Sequence, residues 1–285
     1  MGVLVPLAQA LGVVALAVCG AFLGKWVSPK KWWPAACAAA MLLLAAFGLV
    51  RWIPRLQLMP PFGWVTHGRL EFALFAPAVL VALVPLMLRL PHRRQRVLIS
   101  VLLAIVLGYH SVSPFLMPAV VRPRLAALKT QIDCDGVCRQ TTEYTCGPAA
   151  SVTALRQLGI DAGEAELALL MHTSPTVGTP TDVAASALQQ HFGPRGVRCE
   201  MRSFTSVDEL PRSSPVLAVI KYRLLVDHFV TVLCVDDRHV TVGDPILGKI
   251  TYPRAVFEDR WRFMGIVLDR ESSGAAVNPT LTPAY

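Results

Sequence analysis

Apolar and polar positions change their rhythm along this chain, and the change falls near residue 121. Before it, four runs (1–24, 32–50, 72–88 and 97–121) contain no Asp, Glu, Lys or Arg. A helix needs about 20 apolar residues to cross a bilayer and about 17 at the least. Buried core helices do not produce four such runs in succession. The pattern therefore predicts four transmembrane helices over 3–24, 32–50, 72–88 and 97–118, in a region spanning 1–121. The first run lacks a basic start and exceeds a signal-peptide core, so it reads as a retained helix. His110 lies inside the fourth run with Tyr109, Ser111 and Ser113 around it. It reads as a neutral, packed histidine rather than a proton site.

Beyond residue 121 the spacing is that of a water-facing domain. Ala149, Val152, Leu155 and Leu158 mark one helical face. Pro148 suits the first turn of that helix and Gly159 the residue after its end, which predicts a helix over 147–158. Two more helical patterns follow in "DAGEAELALLMH" and "DVAASALQQHFG", the latter capped by Thr181 or Asp182 and stopped at Gly193. Then come "VRCEMRS", "PVLAVIKY", "DHFVTVLCV", "HVTVGDP" and "KITYP", read as strands. A short helix "PRAVFEDRW" and a last strand "FMGIVLD" complete the series. Helices first and antiparallel strands after predict an α+β domain over 122–270. The tail 271–285 reads as disordered.

Charge separates the same two parts. The net charge is +8 over 285 residues. Residues 1–121 hold ten Lys and Arg against the single acid Glu71, while 122–285 hold seventeen against eighteen acids. The basic excess thus belongs to the membrane loops, and the domain lacks the basic surface that a nucleic-acid partner needs. Lys25, Lys30 and Lys31 share a side with Arg89, Arg93, Arg94 and Arg96. Their density favours that side as cytoplasmic. The domain is then expected outside the cytoplasm, with the cytoplasmic placement as the alternative. "CDGVC" supplies Cys134 and Cys138 without two further ligands at metal spacing. Two unrelated thiols or a short-loop disulfide both fit it, and a disulfide would require an oxidising compartment. No metal and no cofactor is expected.

The candidate chemistry centres on "TTEYTCGPAASV". A nucleophilic thiol must ionise below its ordinary pKa of about 8.5. Cys146 stands at the predicted start of a helix, where the partial positive charge favours an anion. His228 opens a strand, and a hairpin folded near Asp236–Asp237 brings Asp244 close to it, given a bulge or a slight register change. Such a carboxylate can hold an imidazole as base. Gln140, six residues before Cys146, can donate to an oxyanion together with the Cys146 backbone N–H. Taken singly each has a plain reading: a packed thiol, a strand histidine, a turn aspartate.

Together these residues carry a resemblance. Gln140, then Cys146-Gly-Pro, "DHFVTVL", "VGDP" and "GKITYPRAVFEDRW" are similar in order to the C39 peptidase family, the bacteriocin-processing, double-glycine leader peptidases of papain-like fold. "VGTPTDVAASALQQHFG" fits as well, with Pro180 a small departure. The likeness covers about half the chain and implies a bacterial inner-membrane, multi-pass cysteine endopeptidase. Cys146 would be its nucleophile, His228 its base and then acid, Asp244 the orienting group and Gln140 an oxyanion donor. The implied substrate is a peptide or protein precursor cut after two small residues, with an export or pilus-type machinery as partner beside the lipid bilayer. Relatives of this kind are commonly fused to ABC exporters, yet no "GxxxxGK[ST]" stretch is present. A non-catalytic peptide-binding escort domain, or a thiol acyltransferase or amidase on the same triad, are the competing readings.

Overall fold

A computed structural model describes residues 4–53, 70–223 and 226–270; the tail 271–285 and loop positions Arg55 and Arg69 lie outside the described residues. Four apolar rods of membrane-crossing length form the N-terminal part. They are α1 (Leu4–Val27), α2 (Trp33–Trp52), α3 (Leu70–Met87) and a composite fourth. The fourth joins α4 (Arg93–Leu107), a π-helical turn (Gly108–Val112) and α5 (Ser113–Val120). Bounds differ from the sequence reading by a few residues, because charged residues such as Lys25 and Arg93 extend the end turns. α1 meets α3 through small residues that the apolar pattern does not single out. A Cβ at Gly20 would lie 2.5 Å from Pro77 Cα, and one at Gly24 2.8 Å from the Leu80 carbonyl oxygen. The two backbones therefore touch, as small residues permit in membrane helices. Leu4, Phe22, Leu42 and Leu98 remain exposed, an apolar exterior suited to lipid.

The loops after α1 and α3 lie side by side, as the charge pattern required. Arg89 donates to the Ser28 carbonyl at 2.6 Å and to its hydroxyl at 3.0 Å, and its guanidinium sits 3.8 Å over the Trp33 ring. Trp26 and Trp32 pack edge to face beside them, with Lys30 over Trp26. Such aromatic and basic belts mark membrane boundaries. His110 is exposed rather than packed, with its ring 4.4 Å from Phe75 and 5.5 Å from Phe72, neighbours from α3 that local sequence does not reveal.

The second part begins with α6 (Arg122–Ala126), directly after α5. A small hairpin, β1 (Gln131–Ile132) and β2 (Cys138–Arg139), leads to α7 (Cys146–Gln157), α8 (Glu164–Leu170) and α9 (Thr181–Phe192). An antiparallel sheet follows: β3 (Val197–Ser203), β4 (Val216–Arg223), β5 (Val226–Val235), β6 (His239–Asp244), β7 (Gly248–Pro253) and β8 (Trp261–Arg270). The strand order is β3-β8-β4-β5-β6-β7, with α10 (Arg254–Arg260) between β7 and β8. One core joins Leu155, Leu188 and Phe192 of the helices to Leu217, Phe229 and Ile266 of the sheet. A second joins Phe204, Phe257 and Trp261 to Val230, Val240 and Val242. The fold is thus the expected α+β domain behind four membrane-length helices.

Local details refine the sequence reading. Helix α9 starts at Thr181, so its N-cap position falls on an extended Pro180 rather than on Thr181 or Asp182. It stops at Gly193 as expected, although Gly193 itself stays right-handed and opens a 3-10 turn, and Gly196 at φ 78° supplies the left-handed exit. Cys134 and Cys138 form no disulfide: both are free thiols. Cys138 is buried and donates to the Arg139 carbonyl, while Cys134 is exposed at the turn and faces the Asp135 carboxylate. The hairpin sends the two side chains to opposite environments.

Candidate active site

Helix α7 brings Cys146 to its place by being tied on two sides. Thr231 of β5 donates to the Ala150 carbonyl at 2.7 Å, and the Cys138 N–H of β2 donates to Thr153 Oγ1 at 2.9 Å. Both partners are buried, so each bond is strong in its setting and costly to lose. The N-terminal turn is pressed against the 173–179 loop, where a Cβ on Gly147 would stand 2.8 Å from Thr179 Cβ. Thr179 is itself held by a 2.7 Å bond to Thr173. Thr145, ahead of the helix, makes no side-chain cap; its hydroxyl accepts from the Thr142 N–H at 3.1 Å and closes the preceding turn.

Strands β5 and β6 bring the other two groups together. Their register shifts between Val232 and Cys234, the irregularity that the pairing of His228 with Asp244 called for. It also turns Cys234 outward, away from the buried face of Val230 and Val232. His228 Nε2 donates to Asp244 Oδ1 at 2.9 Å. The same oxygen accepts the Ile246 N–H at 2.7 Å and the Leu247 N–H at 3.3 Å, so the turn after β6 fixes the carboxylate. With Nε2 committed, Nδ1 is the ring nitrogen left for the Cys146 thiol, which helps to raise the pKa of the ring. His228 and Asp244 are 3% and 4% exposed, and Cys146 is 9% exposed, which leaves the thiol as the edge nearest to solvent.

The electrostatics follow from these contacts. Burial alone would lower the His228 pKa, but the Asp244 bond and the Cys146 contact outweigh it and push it up to about 9. Burial likewise acts to raise the Asp244 pKa, and His228 with the Ile246 and Leu247 N–H groups holds it below the usual carboxylate range. Cys138 and Cys199 provide a contrast: burial, with nearby acids adding to it, pushes both thiols up to about 12 and keeps them protonated.

Gln140 stands beside this group on an anchored loop. Its backbone N–H donates to the Pro245 carbonyl at 3.0 Å, next to Asp244. Its Nε2 donates to the Thr142 carbonyl at 2.8 Å, which leaves the second amide hydrogen free for another acceptor, and its buried Oε1 has no partner among the described residues. Two supporting residues escape sequence reasoning. Glu164, fully buried, accepts the Thr141 N–H at 2.9 Å and the Thr141 hydroxyl, clamping the residue after Gln140. Tyr222 on β4 lays its ring 5.4 Å from that of His228. In sequence, Glu164 reads as an ordinary first-turn acid and Tyr222 as an ordinary strand residue, because both act across long chain separations. His172 follows α8, and His191 lies on α9, where it pairs with Glu166 at 3.0 Å. The described residues hold no cluster of three or more His, Cys, Asp or Glu suited to a metal.

Comparison with known proteins gives this arrangement a context. An uncharacterised protein of Methanothermobacter marburgensis is 34% identical over 144 residues, which are 50% of this chain and 95% of that protein. The peptidase domain of Streptococcus ComA, described as a bi-functional ABC transporter involved in quorum sensing, covers 47% of this chain and 96% of its own length at 19% identity and a TM-score of 0.40. A double glycine motif protease from an AMS/PCAT transporter, solved with a leader peptide, covers 51% and 96% at 13% identity and a TM-score of 0.41. The family model of C39 peptidases matches residues 136–273, the stretch that contains Gln140, Cys146, His228 and Asp244. The C-terminal part of the chain, residues 136–273, belongs to the peptidase C39 family.

Proposed function

We propose that this chain is a membrane-anchored thiol endopeptidase that cuts a precursor peptide after two small residues, within a peptidase domain spanning 122–270. The observation that carries the proposal is one buried imidazole, His228, bonded to the buried Asp244 carboxylate and electrostatically coupled to the thiol at the start of α7. In this reading Cys146 Sγ, as thiolate, attacks the scissile carbonyl carbon. The oxyanion that forms is met by the Cys146 backbone N–H and the free amide hydrogen of Gln140. His228, protonated, delivers its proton to the departing amine, which leaves a thioester on Cys146. Neutral His228 then takes a proton from water, which attacks the thioester and releases the acid and the thiol. Asp244 holds the tautomer throughout. The arrangement needs no metal or cofactor. The membrane is an inner, multi-pass one with the domain outside the cytoplasm, where an exported or membrane-held precursor and its export or pilus-type machinery meet it.

The test uses the full chain in detergent with synthetic leader peptides that contain Gly-Gly, beside the Cys146→Ala variant. Wild type is expected to cut after the second glycine, and the variant to lose at least about a thousandfold of that rate, the scale on which nucleophile removal acts. Cleavage that survives in the variant, or binding without cleavage by the wild type, removes the proposal; the latter outcome supports an escort role.

A further inference from the structure

We infer that the precursor is cut while still held in the bilayer, within a few residues of the point where it leaves the membrane. The inference rests on the peptidase reading above and adds to it the class of substrate. Its basis is the junction between the last membrane helix and the site. Val121, Leu125 and Ala168 form a buried apolar cluster with exposures of 3%, 1% and 0%, and Met117 of α5 and Tyr144 pack against it. Tyr144 is two residues before Cys146. The residue that leads into the thiol thus rests on the same cluster as the last turns of the fourth membrane rod. No free linker intervenes, since α6 begins at Arg122, directly after Val121, and lies against α8.

This fixes a height. Two residues of chain reach at most about 7 Å, and one side chain with a packing contact brings the total from Cys146 to the end of the span to about 20 Å. That equals about six residues of extended chain. α6 also carries Arg122 and Arg124, both exposed. Long basic side chains in that position reach headgroups while their stems stay on apolar surface. The residues flanking the triad also suit a chain that has just left lipid. Leu247 beyond Asp244, Val226 before His228 and Tyr222 against the His228 ring are 61%, 48% and 39% exposed. A freely diffusing peptide gains nothing from this placement. A membrane-held one is delivered to it, because the bilayer fixes its distance from the thiol.

The experiment co-reconstitutes the full chain in lipid vesicles with Gly-Gly peptides joined to an apolar membrane-spanning segment through polar spacers of about 3 to 30 residues. The same peptide without the segment serves as the free substrate. Cleavage is expected to be fastest with spacers of about six to ten residues and to fall about tenfold at 30, as the effective concentration of a tethered end declines with length. A rate that stays level or rises from six to 30 residues, or a free peptide cut as fast as the best tethered one, overturns the inference and leaves the peptidase reading standing. Absence of cleavage for every peptide, free and tethered, removes both.

Discussion

Burial alone would strip the proton from His228, and its contacts restore it. The ring sits well inside the domain, yet the Asp244 bond and the Cys146 thiol raise its pKa from 6.5 to about 9. A group raised on folding contributes stability that is complete below its unfolded pKa and is lost as pH rises through the folded one. The His228 contribution is therefore full below pH 6.5 and gone above about 9. Thermal melts of wild type and His228→Ala across that window check the sign: the wild-type advantage should shrink steadily as pH rises. In Asp244→Asn the charge that supports the imidazolium is absent, so the basic limb of the pH–rate profile should move to lower pH. An unchanged limb would mean that Asp244 does not set the protonation of His228. At this scale the sequence was generous with the candidate groups and silent about their supports. Gln140, Cys146, His228 and Asp244 stand out because chemistry demands their types in order. Tyr222 and Glu164 do not, because a ring laid on an imidazole or a buried clamp on Thr141 has no local signature.

Among the elements, the six strands of the main sheet were legible nearly to the residue, because β-branched runs bounded by Gly, Pro and Asp leave few alternatives, whereas the two-residue strands β1 and β2 are too short to show a pattern. Helix ends were less so. A cap is decided by whether a side chain can turn back to the first N–H groups, and at α9 the extended Pro180 replaces it. Spacing left the Cys134–Cys138 pair open between two separate thiols and a disulfide because it says nothing about direction; the hairpin sends one thiol in and the other out. Close approaches are equally invisible. Gly147 reads as part of a sequence motif, but in the fold it is the contact that lets α7 rest on Thr179. Alanine is otherwise the better helix former, so Gly147→Ala isolates the clash. It should destabilise the domain by about 1–3 kcal/mol, the usual cost of overpacking, and displace the thiol enough to lower peptide cleavage in step. Denaturant midpoints beside peptide-cleavage rates check it. A variant as stable and active as wild type would show that the turn yields freely.

For the whole molecule, composition announced the membrane part and the arrangement of that part had to come from the structure. Apolar runs gave the four helices, but the contact of Gly20 with Pro77 and the seating of Tyr144 on the cluster below α5 depend on packing that no periodicity encodes. The Arg89–Ser28 bond agrees with the charge pattern in setting the first and third loops on one side. A topology reporter fused after residue 270 is expected to be active only outside the cytoplasm; an expressed but silent fusion would invert the assignment. The most direct test of the whole account is covalent capture. A Gly-Gly peptide ending in a thiol-reactive electrophile, added to the intact chain in membranes, should modify Cys146 Sγ alone as read by peptide mass spectrometry, and His228→Ala should lose the adduct. Modification at another of the seven cysteines, or equal modification in His228→Ala, would contradict it.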